Sequence, residues 1–385
     1  MKIVNWQYSM STHQFYMWKA FQKLSGCEIL FVLEKTADFQ TKLVDVAELR
    51  EVGDVLFPER NRLSFALSLL KGNQQAIHVF GGFRNSWYFL PMIVYALFHD
   101  VKCAVMNEPY AVSPVGYFRE ESGVFFRLKV AGRPLFYRLL ASVLNLASRK
   151  TPLCALPLSL LAADQFEKAG FPPRGIYPFG YFVPRQTPDN IKDRQNASGL
   201  KMIFVGSLLQ TKGLDIAIKA VEQLFREGKG ISLNVYGPGS PERFIPEASS
   251  CVFYKGVLDP RQVQTIISQY DALILPSRHD GWGVVVNEAL LQGVPVIVSD
   301  HVGAKCLIEA SGAGLVFQSE NAEDLAGKLQ GLIDTPERIT EMGRCALAAG
   351  NAILPEASAK YLLDVFDHHF FQKGVRPSAL WTGDR

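Results

Sequence analysis

The sequence predicts an α/β protein made of two doubly wound domains, each built on a parallel sheet. Three observations predict it. The chain has 385 residues, more than one ordinary core accommodates. Short, continuously apolar runs alternate with helical spacing along its length, as expected of strands covered on both faces. Near the middle, residues 184–199 lose apolar periodicity, carry two prolines and several Asp/Asn turn formers, and read as a linker.

The first domain is therefore expected over residues 1–183 and the second over 200–354, with a helical tail over 355–385. In the first, strands are predicted at Lys2–Trp6, Glu28–Leu33, Ala76–Phe80, Lys102–Met106, Pro152–Leu156 and Gly175–Pro178, with helices at His13–Leu24 and Pro134–Ser148. The second repeats the scheme, with strands at Met202–Gly206, Ser232–Tyr236, Val252–Tyr254, Ala272–Leu275, Val294–Ser299 and Gly314–Phe317. Helices are predicted between them at Leu214–Arg226, Arg261–Gln269, Asn287–Gln292 and Ala322–Ile333. The tail carries Tyr361, Phe366, Phe370 and Phe371, and is expected to cross back onto the first domain.

Composition narrows the function classes. Apolar residues make up 48% and mean hydropathy is +0.08, which excludes disorder and points to contact with something greasy. Forty basic against thirty-seven acidic residues give +3, too balanced for nucleic-acid binding on bulk charge. Cys27, Cys103, Cys154, Cys251, Cys306 and Cys345 form no Cys-x-x-Cys pair, the pattern of buried thiols in a reducing compartment. The opening Met-Lys-Ile-Val-Asn-Trp reads as a strand and not a signal peptide. The longest uncharged apolar runs, Phe89–Phe98 and Leu153–Ala163, fall well short of the roughly 20 residues that span a bilayer. A cytoplasmic protein, touching membrane only peripherally, is the expectation.

Two segments carry chemistry. In the first, Phe204-Val-Gly-Ser-Leu-Leu-Gln-Thr-Lys-Gly-Leu-Asp215, a strand ends at Gly206, a loop follows, and a helix starts near Gly213. Such a junction points amides and the positive helix end at a ligand, which suits a diphosphate, and Lys212 adds a cation. The alternative is an ordinary loop with a solvated lysine. The second segment runs from Ala272 to Asp300 as strand, Gly281-Trp282-Gly283 loop, helix and buried strand. Asp280 precedes the loop and Glu288 follows eight residues later, so that two carboxylates can face one cavity and accept hydrogen bonds from sugar hydroxyls. The glycines let backbone approach a ligand closely. The plain alternative makes Asp280 a turn residue and Glu288 part of a solvated face.

Both segments resemble the donor domain of retaining glycosyltransferase family 4, of GT-B architecture: a Gly-Arg-Leu-x-x-x-Lys-Gly stretch, and a Glu-x7-Glu motif around a Gly-aromatic-Gly loop. The resemblance extends to Tyr236-Gly-Pro-Gly-Ser240 and Lys255-Gly-Val257, while the first half matches in layout only. It implies that Lys212 grips the donor diphosphate with Gly206 beside it, Glu288 holds ribose hydroxyls, and Asp280 holds those of the transferred sugar. It also implies that the amides of Gly281, Trp282 and Gly283 contact sugar and phosphate, and that Gly256 and Val257 meet the base. Two positions depart from the family. Asp280 replaces a glutamate, and Ser207 stands where an arginine is usual. That arginine would supply a bidentate contact of ~2–3 kcal/mol. Arg278 or Arg84 is expected to replace it. The resemblance further implies retention by same-face attack, with leaving-group charge met by Lys212, the helix end and loop amides. Without an Asp-x-Asp motif, neither a bound metal nor a permanent cofactor is expected.

The first domain is expected to bind the acceptor. His13, in the loop entering the first helix, and Gly81-Gly82, after a strand, are candidates there; a packed capping segment and a plain turn are the alternatives. Glu108, in Asn107-Glu-Pro-Tyr110, is the candidate for binding or deprotonating the acceptor hydroxyl. Residues 117–150 carry seven basic residues (Arg119, Arg127, Lys129, Arg133, Arg138, Arg149 and Lys150) against Glu120 and Glu121, interleaved with phenylalanines and leucines. That mixture suits an anionic membrane surface or a lipid-diphosphate acceptor; buried helices with basic edges are the competing explanation. The reading that results is transfer of a sugar from a UDP- or GDP-sugar to a saccharide, favouring a lipid-linked glycan of the surface-polysaccharide or O-antigen kind. A nucleotide-sugar epimerase and a catalytically silent carbohydrate-binding scaffold of the same fold are the alternatives.

Overall fold

The computed structural model describes residues 1–35, 44–58, 61–112, 124–148, 150–186, 199–247 and 249–381. The chain begins with β1 (Lys2–Gln7), α1 (Thr12–Ser25), β2 (Glu28–Leu33), α2 (Val46–Arg50), β3 (Asp54–Leu56) and α3 (Arg62–Gly72). It continues with β4 (Ile77–Phe80), α4 (Phe89–Phe98), β5 (Cys103–Asn107), α5 (Val124–Ala131), α6 (Arg133–Ala147), β6 (Cys154–Pro157) and α7 (Leu160–Ala169). The second half contains β7 (Leu200–Val205), α8 (Leu214–Arg226), β8 (Ile231–Tyr236), β9 (Val252–Tyr254), α9 (Val263–Ile267) and β10 (Ala272–Leu275). It closes with α10 (Val284–Leu291), β11 (Val296–Ser299), α11 (Lys305–Ser311), β12 (Gly314–Phe317), α12 (Ala322–Asp334), α13 (Glu337–Ala352) and α14 (Pro355–Phe371).

Taking described residues only, one compact unit gathers Met1–Tyr110, Gly132–Val183 and Pro355–Arg385, and the other gathers Ala111–Ala131 with Pro184–Leu354. The described part of 111–131, placed by sequence in the first half, thus groups with the second unit. Most of the expected linker, 187–198, lies outside the described residues, as do Arg119, Glu120, Glu121 and Arg149.

Each unit is an α/β layer structure on one six-stranded sheet, with every strand pair parallel, as the apolar strand pattern predicted. The orders are β3-β2-β1-β4-β5-β6 and β12-β11-β10-β7-β8-β9. In each, winding reverses beside the first strand: between β1 and β4 in one unit, between β7 and β10 in the other. Open α/β sheets bind ligands just outside the strand C-termini at such a switch point.

Burial explains why these runs are strands. The central β1, β4, β7, β10 and β11 point apolar side chains into helices on both faces, and almost every position is buried. Amphipathic α8 lays Leu214, Ala217, Val221 and Leu224 onto the sheet. In the first unit α14 lies along α1, with Phe21 and Phe366 rings edge to face at 6.0 Å. Further along α14, His369 Nε2 lies 2.9 Å from the Pro152 carbonyl, ahead of β6. Burial pushes His369 and His78 down to about 4 from the ordinary 6.5.

One predicted strand is absent. Gly175 belongs to a 3-10 turn, and residues 176–179 then meet β6 only through isolated bridges, Ala155 to Ile176 and Leu158 to Phe179. The short β3 and helices such as α11 and α13 were not foreseen. Cys27, Cys103, Cys154, Cys251 and Cys306 are buried free thiols. Among the described residues, no helix is long and apolar enough to cross a membrane, and no group of three or more His, Cys, Asp or Glu side chains could hold a metal ion.

Candidate functional site

The second unit brings both motif segments to neighbouring strands at its switch point. The first loop leaves β7 at Gly206, whose amide is held by the Tyr236 carbonyl (3.0 Å). Ser207 follows, and a single 3-10 turn carries Lys212 to the start of α8. Gly213 closes this turn at φ +66, and a Cβ there would run into the Pro276 carbonyl, so glycine is demanded by backbone sign and space together. The second loop leaves β10, passes Arg278 and Asp280, and enters α10 through Gly283 at φ +90, where Leu275 and Val302 leave no room for a side chain.

These two loops meet through charge. Lys212 Nζ lies 2.6 Å from Asp280 Oδ2, and both side chains are largely shielded from solvent. The carboxylate holds the amine in place. Asp280 is fixed from behind as well: its amide donates to His301 and its carbonyl accepts from Gly303. Beyond it, the amides of Gly281, Gly283, Val284 and Val285 have no backbone acceptor among the described residues. They form the open N-terminal end of α10, a region of positive potential. Glu288 is buried in the same helix, one turn below Val284 on the same face. Trp282 contributes only backbone. Its ring is buried among core side chains, with Nε1 donating to Asn287 Oδ1 at 2.7 Å.

Arg278 is strongly engaged within its own unit. Expected to supply the guanidinium missing at Ser207, it bonds Asp215, Gln210 and Glu320 in this structure. Nη1 and Nη2 grip Asp215 in bidentate fashion at 2.8 and 2.7 Å, Nη1 also donates to the Gln210 carbonyl (2.7 Å), and Nε reaches Glu320 at 3.1 Å. The Asp215 pairing raises its pKa further. Its amide donates to the Thr211 carbonyl, and its own carbonyl lies 3.1 Å from His301 Nδ1. Arg278 is thus the knot tying the loops after β7, β10, β11 and β12. Glu320, held at φ +64, and Asp215 were not found from sequence, because their partner is 42 and 63 positions away.

Flanking backbone completes the edge. Gly237 at φ +149 packs directly on the Gly206 carbonyl, and its amide donates to Gly256 (2.9 Å). Gly256 itself sits at φ +92 in open space, and Val257 is 64% exposed. Both therefore present uncovered surface at the end of β9.

In the first unit, Glu108 and His13 are brought together by a residue that sequence reasoning missed. Tyr181 donates its hydroxyl to Glu108 Oε1 at 2.9 Å, and its ring lies 4.0 Å from the His13 imidazole. His13 Nε2 also meets Ser11 Oγ at 2.9 Å. Burial and the adjacent carboxylate raise the Tyr181 phenol well above its ordinary range, so it stays a donor at neutral pH. Gly82, at φ +108, belongs to a turn whose Gly81 carbonyl accepts from Asn85. Arg84 is exposed, its guanidinium 5.1 Å from the centre of the Phe136 ring.

Residues 187–347 match the family described as Glycosyl transferases group 1. Among curated relatives, "Putative colanic acid biosynthesis glycosyltransferase WcaL" of Escherichia coli (strain K12) is 29% identical over 198 residues, 47% of this chain and 48% of the relative. "Alpha-D-kanosaminyltransferase" of Streptomyces kanamyceticus is 26% identical over 251 residues, 60% of this chain and 62% of the relative. The chain spans about half the length of the first curated relatives it matches. Among solved structures, Anabaena Alr3699/HepE in complex with UDP and glucose superposes with a TM-score of 0.65 at 15% identity, covering 95% of this chain and 99% of that one. The lipopolysaccharide outer core galactosyltransferase WaaB in its apo form gives 0.66 at 16% identity, covering 97% and 100%. These likenesses establish the fold as the GT-B type.

Proposed function

We propose, for a chain whose second unit carries a Glycosyl transferases group 1 domain, that it is an enzyme moving a sugar from a nucleoside-diphosphate sugar, UDP- or GDP-linked, to a saccharide acceptor. The carrying observation is the Lys212–Asp280 pair at the sheet's switch point, beside a row of amides without backbone acceptors. Neighbouring folds solved with UDP and with UDP-glucose support a nucleotide-sugar donor.

On this reading a diphosphate draws Lys212 away from Asp280. The exchange is favourable because the phosphates also accept from the α10 amides, which Asp280 does not satisfy. Asp280, released, accepts from hydroxyls of the transferred sugar, and Glu288 from the ribose. Cleavage of the anomeric C–O bond leaves its electron pair on the diphosphate oxygen, where Lys212 and the amides already point. The acceptor oxygen attacks from the same face and its proton passes to the departing phosphate oxygen, so configuration is retained. Arg278 takes no part in these steps; it holds the loops that do. Glu108, oriented by Tyr181, binds the acceptor hydroxyl from the first unit. Neither a divalent metal nor a permanent cofactor is required. The acceptor we favour is a lipid-linked glycan, in keeping with a relative named a putative colanic acid biosynthesis glycosyltransferase and a structural neighbour named a lipopolysaccharide outer core galactosyltransferase. The place of work is then the cytoplasmic face of a membrane.

The test is turnover. Purified protein is screened by thermal shift against UDP-, GDP-, ADP- and dTDP-sugars, where a binder at 100 times its dissociation constant adds ~2.7 kcal/mol of stability. The stabilising donor is then incubated with glycan acceptors. Sugar transfer supports the proposal. An isomerised donor without transfer would make the protein an epimerase, and binding without any conversion would make it a scaffold.

A further inference from the structure

Helix α6 has a second apolar face that the fold does not use. Its inner side, centred on Tyr137, Leu140, Ala141 and Leu144, is buried in the first unit, where α6 packs against α4 and α7. At 3.6 residues per turn, Leu135, Phe136, Leu139, Val143 and Leu146 share an arc of about 100° on the outer side. Their exposure runs from 36% at Phe136 to 88% at Leu146. An ordinary solvated helix would put charges there. Here the remaining outward sector, Arg138, Ser142 and Asn145, is narrow and holds no acid.

Along the sequence the charge near this helix is one-sided. From Ser122 to Ala163 the chain contains six basic residues and no acidic one. Within the first unit, Arg138 and Lys150 are exposed, and Arg84 brings its guanidinium over Phe136 at the border of the apolar arc. A convex row of aliphatic side chains offers no groove for a partner's anchor residues. Flanking cations on long stems suit an apolar phase with an anionic boundary.

The geometry points to α6 as a membrane-docking element: its outer arc enters the acyl boundary of an anionic bilayer while Arg138 and Arg84 stay at headgroup level. The helix is 15 residues long, so it lies in the interface and does not cross it. The inference rests on the glycan-assembly reading only for why the enzyme visits a membrane, and its readout needs neither donor nor acceptor.

The experiment is co-sedimentation of the full chain with vesicles of phosphatidylcholine alone, or of phosphatidylcholine and phosphatidylglycerol in equal parts. Wild type is expected to bind the mixed vesicles, lose that binding at high salt, and ignore the neutral ones. The triple variant Leu135→Ser, Leu139→Ser, Leu146→Ser should keep its melting temperature and partition at least tenfold more weakly. A single Leu146→Trp variant, which keeps the face apolar, should bind like wild type and be quenched by brominated acyl chains. Equal partitioning of wild type and triple variant, unquenched Trp at 146, or equal binding to neutral vesicles overturns the inference. So does a concentration-dependent dimer that the triple variant abolishes while wild type ignores vesicles, since the face would then belong to a second copy.

Discussion

Replacing Arg278 by methionine removes a guanidinium while preserving much of its stem, and the structure indicates what should follow. Four hydrogen bonds disappear, two of them the fork on Asp215. A charge-assisted pair of this kind contributes ~1.5–3 kcal/mol, and the single bond from the same guanidinium to the uncharged Gln210 carbonyl ~1.5. The Glu320 contact adds little, since that carboxylate is 51% exposed and water re-solvates it. Asp215 is 31% exposed and so escapes the full penalty of a stranded buried charge. A net loss of about 3 kcal/mol results, which lowers the melting temperature of a unit this size by roughly 6–12 °C. Arg278→Lys keeps the charge without the fork and should fall between. The assay is thermal and urea denaturation of the variants, completed by a double-mutant cycle with Asp215→Leu. The cycle should return a coupling of at least about 1 kcal/mol. A melting temperature within a degree of wild type, or additive single effects, would refute the knot. Unchanged stability with a tenfold loss of nucleotide affinity would return Arg278 to the diphosphate.

Gly283→Ala forces a side chain into a left-handed position already filled by Leu275 and Val302, and should cost ~1–3 kcal/mol in urea denaturation. Acid should weaken the first unit. His78 and His369 titrate near 4 when folded and near 6.5 when unfolded, so their neutral burial favours the fold above pH 6.5. That contribution is lost as pH falls towards 4, by up to ~3 kcal/mol per histidine, and melting curves between pH 7 and 4 check it. Turnover of the donor is expected to be unchanged by excess EDTA, because the leaving group is met by Lys212 and amides; abolition by EDTA, restored by a divalent ion, would contradict this.

The layout of both sheets was legible because parallel strands buried on both faces must be continuously apolar, as in Ala272–Leu275 and Val296–Ser299. Lys212 and Asp280 were legible as loop residues at strand ends, and the switch point then sets them side by side. Side-chain commitments were not. Arg278 looked available because Asp215 and Glu320 reach it only after the loops fold together. Tyr181 hid in the aromatic run Phe179-Gly-Tyr-Phe182, where nothing local distinguishes a ring that orients Glu108 from one that fills the core. The edge strand Asp54–Leu56 has three residues and a charge, too little for periodicity to register. The run at Gly175–Pro178 misled in the opposite sense: it reads as a strand, but its first residue closes a 3-10 turn and only isolated bridges follow.

The central claim is that a sugar-nucleotide diphosphate binds between Lys212 and the open end of α10. Calorimetric titration of wild type and Lys212→Ala with UDP, GDP, ADP and dTDP addresses it most directly. The account predicts that at least one diphosphate binds wild type and binds the variant tenfold or more weakly, with the variant still folded. Nucleotides that bind neither protein, or both equally, would contradict it.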